Sequence, residues 1–118
     1  MTPESLLDAA HAMLVRPAPS LRTCWPRACA AVVRLALELG LQRYWQTRAP
    51  SLEGRPMRHQ LLALAVLADN RTAQRATLAW HGLSRAMHHH TYELPATVAE
   101  LDNWLEITEL SLQRLSKE

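Results

Sequence analysis

The sequence predicts an all-α fold, a single-domain antiparallel helical bundle of four to five helices over residues 1–118. Three observations carry this. A chain of 118 residues closes one core but not two. Three glycines, no phenylalanine and an apolar set dominated by leucine and alanine disfavour strands, which draw on β-branched and aromatic residues and on glycine turns. Apolar residues also recur at spacings of three and four, interrupted by prolines and capping residues.

Each element follows from that pattern. Thr2 caps a first helix with Pro3 at its first position, and Leu6, Leu7, Ala10, Met13 and Leu14 fall on one side. Arg16-Pro-Ala-Pro-Ser20 ends it. A longer second helix begins near Pro26, with a narrow polar stripe of Arg27, Arg34, Glu38 and Gln42. Val32, Val33, Leu35, Leu37, Leu39, Leu41, Tyr44 and Trp45 cover most of its remaining surface, so other helices should surround it. Residues 49–56 hold two prolines, a serine and a glycine and read as the main loop. Met57, Leu61, Leu64, Ala65 and Ala68 form the apolar stripe of a third helix, and Asp69-Asn70 supplies a turn and a cap for the fourth.

On that fourth helix Ala73, Ala76, Trp80, Leu83 and Met87 gather on one side, and Arg71, Arg75, His81, Arg85, His88 and His89 gather on the other. Pro95 discourages helix at Leu94, and Thr97-Val-Ala-Glu100 is a capping box that opens the last helix. Leu101, Trp104, Leu105, Thr108, Leu112 and Leu115 make its buried face. Trp25, Trp45, Trp80 and Trp104 lie at or beside the apolar stripes, which favours core packing over base stacking.

Charge and cysteine usage narrow the function classes. The formal charge is +2, yet residues 1–90 carry eleven arginines against five acids and the remainder reverses that balance. A positive body suits a phosphate-bearing partner, and an acidic last helix suits a basic face of the same chain or of a second subunit. Cys24 and Cys29 are five apart, point to different sides of a helix and form neither a disulfide framework nor a CxxC pair. No apolar run reaches the roughly 18 residues that span a bilayer, and no signal-peptide pattern opens the chain, so no membrane association and a cytoplasmic location are expected.

The chemistry-bearing residues concentrate between Arg85 and Tyr92. The run His88-His89-His90 invites a metal reading, but adjacent helical residues diverge by about 100° and no His-x3-His pair occurs, so neither a metal nor any other cofactor is expected. With its flanks the run is Arg85-Ala-Met-His-His-His90-Thr-Tyr92, an instance of R-x4-H-x-Y. The segment resembles the HEPN superfamily, and within it the HepT-like toxins. Trp25-Pro-Arg-Ala28 and the stretch from Trp80 to Pro95 resemble an actinobacterial HEPN-like group.

The resemblance implies a small helical bundle, bacterial in origin, acting as a metal-independent ribonuclease with its pocket at a homodimer interface. His90 would move protons, Arg85 would hold the phosphate, and Tyr92 would orient the pair or bond a phosphate oxygen. Histidine titrates near neutral pH and arginine binds phosphate bidentately, so the residue types suit cleavage through the RNA 2'-hydroxyl. Arg71, Arg75 and His89 would line a basic RNA-binding cleft. A nucleotidyltransferase-type antitoxin or other regulatory protein would be the partner, with Tyr92 as the residue such a partner modifies.

Geometry leaves two routes to a shared site. Arg85 and His90 would point about 140° apart on an unbroken helix, so either the helix ends before His90 or two copies of the chain combine. Ala86 departs from the family pattern, which places a polar residue directly after the arginine. That departure supports an alternative, a catalytically silent HEPN-like module binding a nucleotide, RNA or a protein partner. A purely structural alternative pairs Arg85 with Glu106 or Glu109 and makes His90 the cap of helix four.

Overall fold

Among the described residues of the computed structural model five α-helices follow one another: α1 (Pro3–Val15), α2 (Trp25–Arg48), α3 (Met57–Leu67), α4 (Asn70–Met87) and α5 (Val98–Ser116). Residues 1–16, 24–88 and 94–117 are described, and they contain no strand. The helix starts follow local chemistry. Thr2 and Thr97 each close a capping box, with Ser5 and Glu100 returning a side-chain bond to the cap amide. Pro26 occupies the first turn of α2, which starts one residue earlier than expected, at Trp25. The 49–56 loop contains a single 3-10 turn, Pro50–Leu52, and Gly54 adopts φ 80°, a conformation glycine reaches without steric cost.

Side-chain pairs fix the directions of the helices. Glu4 meets Arg43 at 2.8 Å while the Cys29 thiol approaches the Ala10 carbonyl, so α1 and α2 run antiparallel. Arg27 and Arg34 reach Met87 near the far end of α4, so α2 and α4 are antiparallel too. Gly40 of α2 faces Leu112 of α5, and Gly82 of α4 faces Trp104. The result is an up-down-up-down bundle of α1, α2, α4 and α5, in which α2 also touches α5 across the diagonal. The fifth helix, α3, leans mainly on α4.

Two apolar clusters fill the bundle. One joins Leu7 and Ala10 to Cys29, Ala30, Val33, Ala36, Ala79, Leu83, Leu101 and Leu105. Its four alanines and one cysteine let helix axes approach closely. The other gathers larger side chains, Leu37, Leu41, Tyr44, Trp45, Leu61, Leu64 and Leu115, around Ala73 and Ala76. Of the four tryptophans only Trp45 is fully buried; Trp25 and Trp104 pack half-buried against the first cluster and Trp80 against the second.

On α3 the expected stripe needs correction. Ala65 is exposed, and the buried positions are Leu61, Leu64 and the polar Gln60. Gln60 is drawn inward by two bonds: its carbonyl accepts from Trp45 Nε1 at 3.0 Å, and its amide donates to the Arg55 carbonyl at 2.6 Å. A buried polar side chain is tolerable when so satisfied.

The two cysteines differ in reactivity for a related reason. Cys24 is exposed, whereas burial pushes the Cys29 thiol up to about 11. At pH 8 an aromatic disulfide reagent should therefore titrate one thiol at once and the second only on addition of denaturant. Rapid release of two equivalents from the native protein would contradict that burial.

Candidate cationic site on α4

The position of α4 is set at both ends. Asp69 caps its start, accepting from the Thr72 amide at 3.2 Å and the Thr72 hydroxyl at 3.1 Å. Those two bonds, the hydroxyl first, hold the Asp69 carboxyl below the usual aspartate range. At the other end the Arg27 Nε–H donates to the Met87 carbonyl at 3.2 Å, satisfying one of the carbonyls that a helix terminus leaves open. Arg34 lies 4.8 Å over the Trp80 ring, pairs with Glu38 at 3.0 Å and points Nη1 at the Met87 sulfur, 3.7 Å away.

Sequence reasoning missed this clamp. The sequence places Arg27, Arg34 and Glu38 in a narrow polar stripe of α2 and names no partner for them. The spacing of seven between the two arginines shows that they share a face, but nothing in the sequence indicates that α4 passes beside it.

The division of α4 follows the helical projection. Ala73, Ala76 and Leu83 are buried, while Arg71, His81, Arg85 and His88 are exposed and Arg75 is half-buried. Gly82, though close to the arginines in projection, is buried against Trp104 and marks where the cationic arc meets α5. Arg71 and Arg85 share the solvent face at a separation of about 21 Å along the axis. The Arg85 side chain has no hydrogen-bond or ion-pair partner among the described residues. The pairing of Arg85 with Glu106 or Glu109 is not made; Glu109 instead meets His11 of α1 at 2.6 Å.

The end of α4 also corrects the capping assignment. The C-cap is His88, whose amide donates to the Ser84 and Arg85 carbonyls, both at 3.2 Å. His89, His90 and Tyr92 lie outside the described residues, so the arrangement brings together Arg85, His81 and His88 as an exposed polar arc. Such an arc presents donors suited to a polyanion, with the Arg85 guanidinium available for a bidentate phosphate contact.

A well-formed cavity lies elsewhere. A hollow of about 440 Å³ opens between α1, α2 and α5, with Leu7, Asp8, Arg43, Tyr44, Leu112 and Gln113 among its walls and no residue of α4. No group of three or more metal-ligating side chains assembles among the described residues. No described helix is long and apolar enough to cross a membrane. In comparisons with known proteins, no family model, no characterised protein and no solved structure matches this chain.

Proposed function

We propose that the protein is a metal-independent endoribonuclease of the HEPN type, working as a homodimer with α4 near the two-fold axis. The observation that supports this best is the exposed Arg85, whose side chain has no partner among the described residues, one turn before the C-cap of α4, on the same face as Arg71 and beside His88. In this reading Arg85 binds the non-bridging oxygens of the scissile phosphate. His90 takes the proton of the 2'-hydroxyl, the 2'-oxygen attacks phosphorus, and the bond to the 5'-oxygen breaks as that oxygen is protonated. The upstream fragment then ends in a 2',3'-cyclic phosphate. Tyr92 orients the pair, while Arg71, Arg75 and His89 hold the strand. Control falls to a separate cytoplasmic partner of the nucleotidyltransferase type, acting on Tyr92.

One observation favours the catalytically silent reading. Ala86 is half-buried and packs against the first apolar cluster, so the position after Arg85 serves the core. The two readings separate on end-labelled RNA incubated with the purified full chain in EDTA. Arg85→Ala and His90→Ala should each slow cleavage about 100-fold or more, the usual weight of an acid–base or charge-stabilising group. Cleavage that persists in both variants, or no cleavage by the wild type free of any partner, would end the nuclease reading. RNA retention without cleavage, weakened by Arg71→Ala, would favour the silent module.

A further inference from the structure

The bundle is loosest along one seam. Of its four side-by-side helix pairs, α1 and α5 touch least, and among the described residues the side chains of His11 and Glu109 make the one hydrogen bond between them. The hollow of about 440 Å³ lies along this seam, at the end of the bundle where α1 begins and α2 and α5 finish. Close-packed interiors leave few voids larger than a water molecule, whereas sites for small organic ligands occupy about 300–1,000 Å³. The floor of the hollow is apolar: Leu7, Tyr44 and Leu115 are buried and Leu112 is half-buried beside them. Leu112 lies against the backbone of α2, in the place where a Cβ on Gly40 would stand.

The walls are charged, and their charges do not cancel. Three acids, Glu4, Asp8 and Glu109, stand with two arginines, Arg43 and Arg48. Glu4 takes Arg43, at 2.8 Å and 3.5 Å, and Glu109 is engaged by His11 at 2.6 Å. Arg48 stands 5.7 Å over the Tyr44 ring. Of these five, Asp8 is left with no ion pair or hydrogen bond among the described residues. We propose that the hollow binds a small amphipathic organic cation, its apolar body on Leu7, Tyr44 and Leu112 and its ammonium group on Asp8. A protonated amine supplies the counter-charge Asp8 lacks and leaves the existing pairs intact. A carboxylate in its place would have to draw Arg43 from Glu4 or Arg48 from the Tyr44 ring, with Asp8 repelling it. Because Asp8 is exposed, the ion pair is partly solvated: apolar contact holds the ligand, and the carboxylate selects its charge. No residue of α4 lines the hollow, so this site is independent of the nuclease reading.

Three ligands that share one ring test the assignment: tryptamine, which is protonated at pH 7, neutral 3-ethylindole, and indole-3-propionate. Each is titrated into the full chain, with amide NMR shifts locating the site and their saturation giving the dissociation constant. Tryptamine should bind below about 1 mM and move the amides of Gly40, Tyr44 and Leu112 while leaving those of Ala73 and Ala76 in place. It should bind about threefold to fivefold tighter than 3-ethylindole, and indole-3-propionate should bind weakest. Asp8→Asn should abolish the preference for tryptamine over 3-ethylindole. Asp102→Asn, an exposed acid of α5 outside the hollow, should keep it. Gln113→Trp, which places bulk on the exposed wall, should weaken all three ligands with the circular dichroism spectrum unchanged. The proposal is overturned by an absence of shifts at 5 mM tryptamine, or by shifts that map to another face. Equal affinity for tryptamine and 3-ethylindole, a preference for the carboxylate, or a preference for tryptamine that survives in Asp8→Asn overturns it as well.

Discussion

Trp45→Ala should lower the unfolding free energy by about 3–5 kcal/mol, a large share of the 5–15 kcal/mol typical of one domain. The indole is fully buried in the second apolar cluster, packs edge-on against Tyr44 at 5.0 Å between ring centroids, and holds Gln60 in place. Its removal leaves a cavity and also strips the buried Gln60 carbonyl of its donor. Trp45→Phe separates the two contributions. It keeps much of the volume but still orphans the carbonyl, which should cost about 1–3 kcal/mol by itself. Urea titrations read both, provided the slope is unchanged. Equal stability of Trp45→Phe and wild type would show that the Gln60 bond adds nothing.

Gly82→Val should be nearly as damaging, at about 3 kcal/mol, because of where α4 and α5 touch. A Cβ on Gly82 would stand 2.5 Å from two atoms of the Trp104 ring, well inside contact distance. The ring is rigid and half-buried against the first cluster, so relief requires the helices to separate. Gly82→Ala gains about 1 kcal/mol of helix propensity and should still be destabilised on balance. Gly40→Ala is the control. Its Cβ would press on both methyls and the Cγ of Leu112, a branched aliphatic side chain that can change rotamer where the Trp104 ring cannot, so Gly40→Ala should cost less than Gly82→Ala. If Gly82→Val unfolds at the wild-type urea concentration, the close approach of α4 to Trp104 is wrong.

The contrast between the two glycines also shows what the sequence could convey. Helix starts were legible because Thr2, Pro26, Asp69 and Thr97 act on backbone groups within three residues of themselves. The buried side of α4 was legible from its period. Contacts between helices were not. Gly82 lies among the arginines of α4 in projection and yet packs against Trp104, and Gln60, outside the apolar stripe of α3, bridges α2 to α3.

The candidate site divides in the same way. That Arg71, Arg85 and His88 face solvent follows from the projection of one helix. That Arg27 and Arg34 hold the end of α4 depends on the path of α2. Ala65 and Val66 show the limit on α3: a helix with apolar residues at most positions has two plausible faces, and only the path of α4 selects between them.

The last helix has a consequence for how the chain reaches this structure during synthesis. Leu101 and Leu105 of α5 belong to the first apolar cluster and Leu115 to the second. Domains generally fold as units while the ribosome delivers them from the N-terminus. Here the first four helices can be complete and still have neither half of the interior sealed, because each half waits for side chains from the nineteen residues of α5. The nascent chain therefore carries its leucine-rich surfaces open until α5 emerges, and release of that helix closes both halves together.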